Sequence, residues 1–98
     1  MTNYNLINIF LNKDKSYKTH NMSIDGNKLV MYSTVIAEYT KDILIINNSK
    51  YSRTTSKYQN YLLRRSKNCF NKIIVVTNVP IDSKYLIKWT EHKDKYKL

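Results

Sequence analysis

SKYSRTTSKYQNYLLRRSKNCFNK, residues 49–72, lies between two short apolar runs, Ile43–Ile46 and Ile73–Val76, and the rest of the chain is read outward from it. It carries Lys50, Arg53, Lys57, Arg64, Arg65, Lys67 and Lys72, and no Asp or Glu occurs anywhere between Asp42 and Asp82. Of the formal charge of +10, residues 1–47 contribute +1, residues 48–81 +7 and residues 82–98 +2. One third of the molecule therefore holds most of the excess. That is a localised electrostatic feature rather than a diffuse solubilising surface.

Within this stretch the sequence predicts a helix over about residues 56–68. Thr54, Thr55 and Ser56 are each suited to cap it, with Gln59 as a box partner. Helical spacing puts Tyr58, Tyr61 and Leu62 on one side, with Cys69 just past the end as a small core residue. Lys57, Asn60, Arg64 and Lys67 gather on the opposite side, and Arg65 flanks the apolar stripe.

N-terminal to the helix, the segments Met22–Ile24, Leu29–Tyr32, Thr34–Tyr39 and Ile43–Ile46 are rich in β-branched and aromatic residues, with polar breaks between them. Asp25-Gly26 is the strongest hairpin signal, because the chain's one glycine supplies a positive φ. Ile43–Ile46 is apolar on both faces and is expected inside the sheet. Residues 3–11 fit either period, and read as a strand; Lys13–Asn21 reads as a loop. Ile73–Thr77 is a strand stopped by Pro80, after which Asp82 or Ser83 is expected to cap a helix bearing Tyr85, Leu86 and Trp89. The tail from His92 is charged. The fold expected is α+β: a small antiparallel β-sheet, a meander over residues 22–47, packed on one face by one or two α-helices. An exposed strand edge could support a homodimer.

Ninety-eight residues suit one domain, 1–98, and 42% hydrophobic content is too apolar for a disordered tail. The N-terminus lacks the pattern of a signal peptide and no run is long enough to span a bilayer, so no membrane partner is expected. A single cysteine excludes an intrachain disulfide and suits a reducing compartment.

The chemistry these residues can carry is mostly binding. Arg53, Thr54, Thr55, Ser56 and Lys57 could cradle a phosphate, while Lys50, Arg64, Arg65 and Lys67 extend the track along a backbone. The bland account is a solvated helix face whose hydroxyls merely cap. Among nine tyrosines, Tyr51 and Tyr58 flank the basic cluster and are the stacking candidates, although most tyrosines are expected in the sheet or core. No metal or cofactor is expected, since Cys69, His20 and His92 lie far apart without ligand spacing. Asp14, Asp25, Glu38, Asp42, Asp82, Glu91 and Asp94 are scattered, and no nucleophile motif or phosphate-binding glycine loop occurs. Only a histidine-based nuclease using His20 or His92 is left as an enzymatic reading, so the chain reads as non-enzymatic.

Residues 24–65 resemble a small bacteriophage family of unknown function. The resemblance rests on Gly26-Asn27-Lys28-Leu29, Tyr32-Ser33-Thr34-Val35-Ile36-Ala37, Asn48, and Tyr51-Ser52-Arg53-Thr54-Thr55-Ser56-Lys57-Tyr58-Gln59-Asn60. Asn, Lys, Ile and Tyr, whose codons are A/T-rich, are abundant beside single Gly, Pro and Ala residues, which agrees with an AT-rich genome of that kind. The resemblance implies a phage accessory protein in the cytoplasm of an infected bacterium. Its expected partner is nucleic acid or a host nucleoprotein complex. The alternative is an inhibitor of a host defence complex, of anti-CRISPR type, that occupies an acidic protein surface.

Overall fold

The computed structural model describes residues 2–13, 17–67 and 69–86. The elements are α1 (Asn3–Leu11), β1 (Met22–Asp25), β2 (Lys28–Met31), β3 (Thr34–Thr40), β4 (Ile43–Asn47), α2 (Arg53–Ser66) and β5 (Lys72–Val76). One sheet runs in the order β1-β2-β3-β4-β5. The fold is α+β, with a mostly antiparallel sheet.

The meander over residues 22–47 forms as its spacing predicts, and β4 lies inside the sheet between β3 and β5. Its three hairpins use two-residue turns: Gly26-Asn27, Tyr32-Ser33 and Lys41-Asp42. The first residue of each has positive φ, at 61°, 57° and 53°. Only Gly26 adopts that conformation without steric cost. A bulge in β3 sets Ala37 opposite Leu29 and Val35 opposite Val30, so that Ile36 and Ala37 both join the helix-side core.

The fifth strand departs from a pure meander. It pairs parallel to β4, from Ile43↔Lys72 to Asn47↔Val76. A helix between two strands carries the chain back to the starting end of the first, and the second then runs in the same direction. The outer edge of β1 is met by residues 17–19, with Lys18 bridged to Ser23 and the Ile24 amide donating to the Tyr17 carbonyl at 2.9 Å. Among the described residues, β5 pairs only with β4.

Residues 3–11 form a helix rather than a strand. Leu6, Ile7, Phe10 and Leu11 are all buried, which is the i, i+1, i+4, i+5 grouping of a helical stripe. Thr2 caps it, its Oγ1 accepting from the Asn5 amide at 3.1 Å. An apolar run this short satisfies both periods, and packing against the sheet settles it.

Helix α2 starts earlier than its threonines suggest. Ser52 is the N-cap, with Oγ accepting from the Thr55 amide at 3.1 Å, and the helix spans Arg53–Ser66. Gln59 is buried and takes no part in a capping box. Cys69 is exposed rather than a core residue. Residues 82–86 form no helix, and Asp82 sits at φ +67°. Trp89 and the tail from His92 lie outside the described residues.

Both helices cover the same face of the sheet. Leu6, Ile7, Phe10 and Leu11 of α1 and Leu62 of α2 pack with Met22, Ile24, Leu29, Met31, Leu44, Ile46, Ile73 and Val75. On the other face, Val35, Ile45, Ile74 and Val76 meet Val79 and Leu86 from the segment after β5.

Candidate nucleic-acid interface

Helix α2 is held against the sheet by a seam that is mostly polar. Its buried residues are Thr55, Gln59, Leu62 and Ser66, spaced by four, three and four. Gln59 Nε2 donates to the carbonyls of Asn47 at 2.6 Å and Ser49 at 2.9 Å. Asn47 Nδ2 donates to the Val35 carbonyl at 3.1 Å and to the Tyr51 hydroxyl at 2.8 Å. Asn47 Oδ1 accepts from the Ser49 amide at 3.0 Å. The Tyr51 hydroxyl donates to the Val79 carbonyl at 2.7 Å, and Ser49 Oγ accepts from the Val79 amide at 2.8 Å. These bonds satisfy buried groups of the loop between β4 and α2 and give that loop one conformation.

With that seam turned inward, the outward face follows from 100° per residue. Arg53, Lys57, Asn60, Arg64 and Lys67 are all exposed and fall within one arc of roughly 80° about the helix axis. From Arg53 to Arg64 the arc extends about 16 Å at 1.5 Å per residue. Lys50 is exposed in the preceding loop. A shallow groove of about 470 Å³ opens at this end, lined by Lys50, Tyr51, Ser52, Arg53, Ser56, Lys57 and Asn60.

The expected residues divide by position. Lys50, Arg53, Lys57, Arg64 and Lys67 come together on the solvent side, and Thr54 is exposed at its margin. Thr55 is buried, and its Oγ1 accepts from Ser52 Oγ at 3.0 Å. Arg65 turns toward α1, where its Nε donates to Asn8 Oδ1 at 3.3 Å. Tyr51 is half-buried, with its hydroxyl engaged by Asn47 and Val79. The half-buried Tyr58 packs its ring 5.2 Å from that of Tyr4, and Lys57 Nζ sits 4.9 Å from its centroid. Ser52 and Ser56 join the groove through position alone. The sequence signal for the seam was the Thr55-Gln59-Leu62-Ser66 spacing, which a search for apolar stripes passes over.

Among the described residues no three His, Cys, Asp or Glu side chains group as a metal site, and no helix is long and apolar enough to cross a membrane.

A model of a family of unknown function, DUF8033, matches residues 4–76. The chain belongs to that family. The DUF8033 match runs from α1 through β5 and so reaches beyond residues 24–65 on both sides. It brings neither an activity nor a source. No curated protein and no solved structure matches the chain.

Proposed function

We propose that the protein is a non-enzymatic nucleic-acid-binding module that lays α2 along a phosphate backbone. The observation that carries this is the solvent arc of Arg53, Lys57, Arg64 and Lys67, continued by Lys50, in a segment whose sequence contains no acidic residue. Cations displayed on one helix face without neighbouring carboxylates are desolvated cheaply by a polyanion, and counterion release then drives association. The polar seam holds that face in a single orientation before any partner arrives. A phage accessory protein acting on nucleic acid or a nucleoprotein complex in an infected cell is the setting the resemblance supports.

Fluorescence anisotropy with labelled DNA and RNA at several salt concentrations tests it. If about four phosphates are neutralised, log affinity should fall with log salt at a slope near −3.6, or roughly a hundredfold between 50 and 200 mM. Arg64→Glu with Lys67→Glu should flatten that slope by about two units and leave the fold intact. An unchanged slope would make the arc a merely solvated face. Absence of binding at low salt would redirect the search to an acidic protein surface, as in a defence-complex inhibitor.

A further inference from the structure

Among the described residues, the sheet face opposite the helices is only half covered. Val79 and Leu86 lie over Val35, Ile45, Ile74 and Val76, and the Leu86 amide donates to the Glu38 carboxylate at 2.8 Å. Toward β1 and β2 this face opens into a groove of about 630 Å³. Val30, Val35 and Ser23 line it from the strands, with Lys28, Lys84, Tyr85 and Tyr32 around them. Tyr32 is 64% and Tyr85 58% exposed, which makes them the most exposed tyrosines among the described residues. Lys28 Nζ stands 5.0 Å from the Tyr85 ring centroid.

Tyr32 shares its backbone conformation with Lys41 of the next hairpin. It occupies the first position of a two-residue hairpin turn at φ +57°, where Gly or Asn would sit at lower cost. Its amide donates to the Asn21 carbonyl at 2.9 Å, and the ring stays mostly in water.

We propose that this groove takes one nucleobase of a single-stranded nucleic acid, stacked on the Tyr85 or Tyr32 ring with Lys28 and Lys84 beside its phosphate. Exposed aromatic rings accept the π-face of any base, and a duplex keeps those faces hidden. The volume is within the range of small-ligand sites. Against the two lysines stand Asp25 on the lining and Asp82, which accepts from the Ser33 hydroxyl close by. The local charge is therefore nearly balanced, and stacking rather than counterion release supplies the affinity. The inference shares its ligand class with the α2 reading but uses different residues on the opposite face, so either can fail alone.

The test uses the full chain and a 5-iodouridine-substituted single strand, photocross-linked and mapped by mass spectrometry, alongside anisotropy. Adducts are expected at Tyr32 or Tyr85. Tyr85→Ala should weaken single-strand binding roughly 5- to 100-fold with the salt slope unchanged, and Tyr85→Phe should restore it. Duplex affinity should not move. Adducts confined to Tyr4, Tyr51 or Tyr58, or a neutral Tyr85→Ala beside a neutral Tyr32→Ala, would overturn the groove and leave α2 standing. Cross-linking at Tyr85 that survives Arg64→Glu/Lys67→Glu with an unchanged slope would instead remove α2 and keep the groove. Failure of every strand to bind removes both.

Discussion

Replacing Gln59 with leucine tests the seam that orients the basic helix. The side chain is 2% exposed, and its amide nitrogen serves the buried carbonyls of Asn47, at the end of β4, and Ser49, in the loop, at 2.6 and 2.9 Å. Leucine has similar bulk and no donor, so the helix still packs while both carbonyls lose this partner. Each orphaned acceptor costs about 1–3 kcal/mol, and the extra apolar contact of leucine recovers part of that. The net loss should be about 2–4 kcal/mol, or roughly 10–25 °C in Tm for a domain of this size. Urea unfolding followed by circular dichroism measures it, with the midpoint falling and the slope constant. Asn60→Leu, one residue along on the solvent face, should stay within about 0.5 kcal/mol. If Gln59→Leu lost no more than Asn60→Leu, the seam would contribute nothing to stability, and the account of how α2 is oriented would be wrong.

Three further outcomes are expected. Ser52→Ala should cost about 1 kcal/mol by removing the α2 cap, while Thr54→Ala should be close to neutral; parallel urea melts decide between them. Tyr32→Asn should stabilise the domain by about 1 kcal/mol by easing the left-handed turn, and should weaken single-strand binding in the same preparation. Thermal melts and anisotropy read the two effects separately. Cys69 should react with a thiol reagent in the native state at nearly the rate of the unfolded chain, because it is exposed. Strong protection would place it in a core after all.

The meander was legible because its strands are β-branched and its breaks are polar, and the amphipathic register of α2 because cations and apolar residues separate at helical spacing. Lys57, Asn60, Arg64 and Lys67 could therefore be assigned to one surface from spacing alone, whereas Arg53 joins them only because the helix is capped at Ser52. Three things were not legible. Residues 3–11 carry Leu6, Ile7, Phe10 and Leu11 at positions that serve a helix or a strand, and only the presence of a sheet face to cover decided for the helix. The cap moved from Thr54–Ser56 to Ser52 because the loop before it is tied down by Asn47 and Ser49, residues that look like ordinary loop polar groups. Tyr32 reads as the last residue of a strand, yet tertiary pairing makes it the first residue of a hairpin turn at positive φ.

Local order alone thus determined the class of fold, the existence of the basic helix and the charge that it displays. These depend on side-chain periodicity and composition, which are properties of neighbours in the chain. Tertiary structure decided that the hidden face of α2 centres on Gln59 rather than on Tyr58 and Tyr61, since Gln59 can be buried only where the Asn47 and Ser49 carbonyls meet it. It also decided that β5 runs parallel to β4, and that Tyr32 and Tyr85, 53 residues apart in sequence, line one groove. Hydrogen bonds and contacts between distant segments have no period to reveal them.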